Sequence, residues 1–183
     1  MYLSEVVAWS DIQEALDNLK DVAVNTPLLR NSALDEVCGR QVFLKAETFQ
    51  RTGSFKFRGA FHRISQISLA ERDAGVIAGS SGNHALGVAE AARCLGVRAR
   101  IVMPDDAPAV KLAATRALGA EVIPYDRYAE NRDELTVRLR ERDGGTIVHP
   151  FDDPYVIAGQ GTAGAELFQQ VASLGQSLDA LLV

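Results

Sequence analysis

Hydrophobic and polar positions follow two regimes along this chain. Up to residue 46 the signals are local and irregular. Ser10-Asp11-Ile12-Gln13 reads as a capping box opening an amphipathic helix that runs to Leu19. Thr26-Pro27-Leu28 breaks it. Residues 32–38 predict a short helix stopped by Gly39, and residues 42–46 alternate like a strand.

From residue 76 the pattern becomes regular. Val76-Ile77-Ala78 is a short apolar run, followed by a glycine-serine loop and a helix over residues 83–95 that Gly96 closes. Residues 100–103 form the next apolar run, stopped by Pro104, and Pro108 suits the first turn of a helix reaching Leu118 and Gly119. Residues 121–124 read as a strand, residues 128–142 as a charged helix stopped by Gly144-Gly145, and residues 146–149 as another strand. Residues 162–174 predict a helix. Short apolar strands alternating with helices imply right-handed crossovers and an α/β fold, its parallel twisted sheet covered by helices on both faces.

The last run, Leu178-Asp179-Ala180-Leu181-Leu182-Val183, reads as a buried strand. A parallel strand leads into a loop that carries function. A chain stopping on one predicts the front part of a longer protein.

Composition removes several function classes. No apolar run approaches the ~20 residues that span a bilayer, so no membrane role is expected. The stretch Met1 to Asp11 has neither a basic start nor an apolar core, so it shows no secretory signal. The formal charge of -5 carries no basic stripe for nucleic acid. The two cysteines, Cys38 and Cys94, form neither a metal spacing nor a disulfide framework, and a reducing cytoplasm is the natural setting. Only Lys20, Lys45, Lys56 and Lys111 among the 19 cations are lysines, which singles each of them out.

Two clusters carry chemistry. In Lys45-Ala46-Glu47-Thr48-Phe49-Gln50-Arg51-Thr52-Gly53-Ser54-Phe55-Lys56-Phe57-Arg58-Gly59-Ala60, a glycine and a serine lead into a helix with Lys56 in its first turn. The N-terminal helix dipole repels a cation there, and Arg58 adds a like charge. Both favour the neutral amine, the form that attacks a carbonyl to make a Schiff base. A solvated surface lysine is the alternative. In Gly79-Ser80-Ser81-Gly82-Asn83-His84, glycines allow a tight strand-to-helix turn whose free N–H groups converge on one spot. Two hydroxyls, an amide and an imidazole add donors for an anion. The spacing fits neither the dinucleotide fingerprint nor a P-loop, so a carboxylate is as good a guest as a phosphate. A plain tight turn capped by Asn83 is the other reading.

These two clusters, with His149-Pro150-Phe151-Asp152-Asp153-Pro154 and Gln160-Gly161-Thr162, resemble the serine/threonine dehydratases and their serine-racemase-type members. Those are fold-type II enzymes using pyridoxal 5'-phosphate, related to the β subunit of tryptophan synthase. The resemblance runs from Thr26-Pro27-Leu28 to the last residue. It implies that Lys56 holds the cofactor as a Schiff base and moves the α-proton, that Phe55 packs on the pyridine ring, and that Asn83 bonds the ring hydroxyl. It implies that Ser80, Ser81, Gly82 and His84 hold the substrate carboxylate. Ser81 matches a serine that in racemase-type members acts as a second acid/base on the opposite ring face, where many biosynthetic threonine dehydratases carry alanine. A single hydrogen bond from Ser81 is the simpler role.

Arg132 falls where racemase-type members place a substrate-contacting arginine, although Glu130, Asp133 and Glu134 around it also suit a solvated helix face. His149 and the Asp152–Pro154 segment read as a hinge, and His62 as structural or solvent-facing. Leu86 stands where many relatives have a glutamine that helps bind an activating nucleotide. The Asn83-His84 pair argues against cysteine synthase, whose loops read Asn-Thr.

The resemblance further implies β-elimination of a hydroxy amino acid such as L-threonine or L-serine to a 2-oxo acid and ammonia. Serine racemisation, hydroxyaspartate dehydration and an inactive fragment are the alternatives. A small α/β domain is expected over residues 50–148, with residues 1–49 and 149–183 contributing to a large one. The family's glycine-rich phosphate loop, and any divalent-cation site, would lie beyond residue 183; no metal site is expected within the chain. The expected partners are a small amino acid and, at full length, a second copy of the chain in a homodimer.

Overall fold

Four short strands built from the regular apolar runs pair side by side: β3 (Val76–Gly79), β4 (Ala99–Pro104), β5 (Glu121–Tyr125) and β6 (Thr146–Ile147). Their order is β5-β4-β3-β6 and every pairing is parallel. A separate antiparallel pair joins β1 (Leu28–Arg30) to β2 (Phe43–Lys45). This computed structural model describes residues 7–183. The first six residues, part of the stretch that lacks a secretory start by its composition, lie outside the described residues.

The period of two along each strand divides the sheet into two apolar faces. Val76, Ala78, Ile101 and Met103 share a cluster with Ala85, Val88, Ala89 and Ala92 of helix α5 (Asn83–Leu95) and with Phe57, Ala60 and Ile64 of helix α3 (Lys56–Ser65). Ile77 and Val102 point the other way, toward Leu139 and Leu135 of helix α7 (Arg132–Asp143). Helices therefore cover both faces. The remaining helices are α1 (Trp9–Leu19), α2 (Ser32–Cys38), α4 (Leu69–Ala74), α6 (Ala109–Ala117) and α8 (Pro154–Ser173).

Gly39 (φ 62°) and Gly96 (φ 66°) close α2 and α5 in the left-handed conformation, at the positions the sequence predicts. Other boundaries differ from expectation. Helix α1 starts at Trp9, and its first turn is held by Asp11 Oδ2 accepting from the Ala8 N–H (2.7 Å), so Ser10 is not the cap. Helix α7 starts at Arg132 rather than near Tyr128, because Asn131 Oδ1 accepts from the Asp133 and Glu134 amides. Helix α8 starts at Pro154, eight residues before the expected Thr162. Asp153 Oδ1 accepts from the Tyr155 and Val156 amides, and Pro154 occupies the first turn, where its missing N–H costs nothing. Residues 178–183 form no strand; they run as irregular chain, with Leu182 fully exposed.

Helix α3 is clamped between α5 and α8, and glycines make both contacts possible. A methyl on Gly87 would stand 2.9 Å from the Lys56 carbonyl carbon. One on Gly159 would stand 2.7 Å from the Arg58 carbonyl oxygen, and one on Gly59 would stand 2.7 Å from that of Val156. Lys56, the first residue of α3, is thereby placed against the start of α5, the helix that follows the glycine-serine loop.

Candidate active site

Lys56 is half-buried, and its Nζ donates to the Pro150 carbonyl (2.7 Å) and lies 3.5 Å from Gln160 Oε1. The nitrogen also sits 5.0 Å from the centre of the Phe55 ring. Burial holds the amine below the usual lysine range. The outcome agrees with the sequence argument, but the cause is different. Arg58 is not a free like charge: its fully buried guanidinium binds Glu47 (2.8 and 2.9 Å) and Glu166 (2.7 and 2.9 Å). Those carboxylates neutralise it, and burial of Lys56 does the rest.

The loop after β3 turns as the sequence suggests. The Ser80 N–H continues the sheet pairing to the Val102 carbonyl (3.1 Å), and the Ser80 Oγ accepts from the Gly82 N–H (3.1 Å). Gly82, not Asn83, is the N-cap of α5. Asn83 is the first helical residue and its exposed side chain caps nothing. The first intrahelical bond comes from Leu86 to Gly82, which leaves the amides of Asn83, His84 and Ala85 open at the positive end of the helix.

The His84 imidazole does not act as a free donor. Its buried Nε2 bonds the Val148 carbonyl (2.9 Å), and Nδ1 has no partner. Because a carbonyl only accepts, the proton belongs on Nε2 and the lone pair on Nδ1. Burial drives this ring down to about 4, with the charges of Lys56, His149 and Arg132 pushing the same way against the Val148 bond. What His84 offers an anion is its backbone N–H.

Val148 and Pro150 connect the two clusters. The Val148 N–H pairs with Ile77 at the edge of the sheet, its carbonyl takes His84, and the carbonyl two residues on takes Lys56. Arg132 also reaches this end of the sheet. A methyl on Gly79 would lie 2.9 Å from both Arg132 Cγ and Cδ, so the stem of Arg132 lies across the first residue of the loop. Its guanidinium bonds Asp133 (2.8 Å) and is part-exposed. His62 is buried and structural, its Nδ1 facing Asn18 (3.0 Å).

The sequence reading did not single out the Pro150 carbonyl or Gln160 as partners of the amine. Gln160 opens the Gln160-Gly161-Thr162 motif, and its signal is one polar residue between glycines on a helix. Nor did it find Glu166, whose pairing with Arg58 spans 108 positions.

An aldehyde cofactor with an aromatic ring would find partners here for its aldehyde, its ring face and its ring hydroxyl. Lys56 supplies an amine with a depressed proton affinity, Phe55 an aromatic face beside it, and Asn83 an uncommitted amide. The buried Ser54 Oγ, two residues before Lys56, has no partner, as a group awaiting one from a ligand would. The residues fit such a group.

Comparison with known proteins agrees. Residues 19–183 match the family model described as "Pyridoxal-phosphate dependent enzyme". The chain is 46% identical to the serine racemase of Schizosaccharomyces pombe over 175 residues, covering 96% of this chain and 53% of that protein. It is 49% identical to an L-threo-3-hydroxyaspartate ammonia-lyase of Pseudomonas sp. over 179 residues, covering 98% and 55% respectively. The crystal structure of a T.th. threonine deaminase superposes with a TM-score of 0.85 at 46% identity, covering 93% of this chain and 54% of that one. The chain thus spans about half the length of the curated relatives it matches.

Proposed function

The chain belongs to the pyridoxal-phosphate dependent enzyme family, with an α/β fold of type II, and we propose that it serves β-elimination of a hydroxy amino acid such as L-threonine or L-serine to a 2-oxo acid and ammonia. The observation that carries this reading is the half-buried Lys56 amine, bonded to neutral acceptors and tied to the same short stretch as His84.

Pyridoxal 5'-phosphate, when bound, supplies a carbonyl for an amine and an electron sink for charge developing at the substrate α-carbon. Lys56 would hold it, Phe55 would pack against its ring, and Asn83 would donate to its ring hydroxyl. The open amides at the start of α5, with the Ser80 and Ser81 hydroxyls and the Gly82 turn, would hold the substrate carboxylate. Lys56 Nζ takes the α-proton, a role that suits an amine whose proton affinity burial has lowered. His84 contributes through its backbone N–H while its ring braces the loop against Val148. Arg132, its stem across Gly79, would release Asp133 to add a positive charge.

Ser81 favours a second reading. Ser81 stands in the loop directly before Gly82 and its hydroxyl suits a second proton carrier, which supports serine racemisation or hydroxyaspartate dehydration, chemistry that the names of relatives carry. A third reading is an inert half, supported by the exposure of Phe168 (53%) and Leu182 (95%).

We place a small domain at residues 50–148, which contains the whole four-stranded sheet, and assign residues 1–49 and 149–183 to a larger one. The full-length protein would act on a free amino acid, as a homodimer, in the cytoplasm. No helix among the described residues is long and apolar enough to cross a membrane.

The test is to add pyridoxal 5'-phosphate, reduce with borohydride and map the labelled peptide. Label on Lys56, then release of pyruvate from serine or 2-oxobutanoate from threonine, is the expected result. A folded chain that takes no label at Lys56 overturns the reading.

A further inference from the structure

We infer that Gln160 is a positioning residue for Lys56: fixed by the Pro150 carbonyl, its amide oxygen takes a hydrogen of the amine and so aims the nitrogen lone pair without adding negative charge. The inference rests on Lys56 being the reacting amine.

Three contacts close a small ring. Lys56 Nζ meets the Pro150 carbonyl at 2.7 Å, Gln160 Nε2 meets the same carbonyl at 3.2 Å, and Gln160 Oε1 lies 3.5 Å from Lys56 Nζ. A carbonyl accepts only, so the NH₂ end of Gln160 must face Pro150 and its oxygen must face Lys56. The side chain has little freedom to do otherwise. A methyl on Gly59 would stand 2.8 Å from Gln160 Cγ, so its stem lies directly against the helix that carries Lys56.

A neutral amine has two hydrogens and one lone pair. With Pro150 and Gln160 each taking a hydrogen, the lone pair is turned away from both, which is the orientation an attack on a carbonyl requires. Without Gln160 only the Pro150 carbonyl holds a hydrogen, and the lone pair can swing about that one bond.

Charge points to the same role. Among the described residues no carboxylate bonds Lys56 Nζ. Arg58 on its own helix is bound to Glu47 and Glu166, while Lys56, Arg132 on α7 and His149 in the loop before α8 all bear on His84 of α5, and Asp153 at the end of that loop is bound to Arg63. None of these gives the ammonium form a counter-ion. A glutamine is isosteric with a glutamate that would.

The experiment compares wild type, Gln160→Glu and Gln160→Met. The reactivity of Lys56 toward formaldehyde with cyanoborohydride is followed against pH by peptide mapping, with Lys20 as internal reference. Gln160→Glu should move the Lys56 midpoint upward and lower its reactivity at pH 7 about tenfold, as an adjacent carboxylate does to an amine. Gln160→Met should leave the midpoint in place yet slow the trapping of pyridoxal 5'-phosphate on Lys56 several-fold. An unmoved midpoint in Gln160→Glu, or wild-type trapping in Gln160→Met, overturns the inference. Failure of wild type itself to trap the cofactor at Lys56 sinks the functional reading and with it the premise of the inference, an outcome distinguished from failure of the inference itself because the formaldehyde midpoint is read without cofactor.

Discussion

Gly159 and Gly59 meet backbone to backbone where α8 crosses α3: a methyl on Gly159 would stand 2.8 Å from the Gly59 Cα. Such a crossing leaves no room for a side chain on either partner. Gly59→Ala and Gly159→Ala should each cost about 1–3 kcal/mol, read from urea midpoints. Gly164 on the same helix has nothing within 4 Å of an added methyl. Gly164→Ala should therefore stabilise the chain, by roughly 0.5–1 kcal/mol.

Arg58 is the largest fully buried side chain among the described residues, and Glu166 is shared between it and Lys45 (2.7 Å). Removing the carboxylate leaves buried positive charge uncompensated. Glu166→Ala should cost about 3–5 kcal/mol by chemical denaturation.

The same carboxyl shapes the acid limb of stability. Burial alone would raise it, but Arg58 and Lys45 outweigh burial and hold it below the usual carboxylate range. A depressed carboxyl contributes stability above its unfolded value and loses it as pH falls through the folded one. Denaturation midpoints of wild type should fall as pH drops below about 4.5. Glu166→Gln should start less stable and show a flatter acid limb.

His84 is held neutral, at about 4 against an ordinary 6.5. The unfolded chain takes a proton near pH 6.5 that the folded chain refuses, so stability is full above that value and declines toward pH 4. The whole loss is on the order of 3 kcal/mol. Histidine NMR should show one imidazole with no titration between about pH 8 and 5. A His84 resonance that titrates near its ordinary value would contradict the buried Val148 bond.

Ser81→Ala separates the two readings of that hydroxyl. If Ser81 carries a proton on the face opposite Lys56, the variant should lose racemisation by at least about tenfold while retaining elimination, measured by chiral separation of serine alongside pyruvate release. Equal loss of both would reduce Ser81 to a hydrogen bond.

Much of this was legible in the residues. The four parallel strands follow from short apolar runs alternating with helices, and Gly39 and Gly96 mark helix ends because a left-handed residue is required there. The start of α8 was hidden by its own composition. Gly159 and Gly161 are poor helix formers by propensity, yet both are small because another helix lies against them: Gly59 faces Gly159, and Ile12 would stand 3.0 Å from a methyl on Gly161. Residues 178–183 carry a strand pattern and find no strand to pair with among the described residues, so period alone did not settle their state. Lys56 was found by its motif, but the reason its amine is unusual was not. Local charge suggested Arg58, whereas Arg58 is silenced by Glu47, 11 positions away, and by Glu166, 108 positions away.

Strand β6 is two residues long and lies at the edge of the sheet, and the stretch that follows it anchors both Lys56 and His84. Successive carbonyls of an extended chain face opposite ways, so the anchors depend on an unbroken count from Ile147 to Pro150. A single insertion or deletion between Val148 and Pro150 would turn one carbonyl away from its side chain and unseat the group it holds. This short span tolerates substitution far better than any change in length.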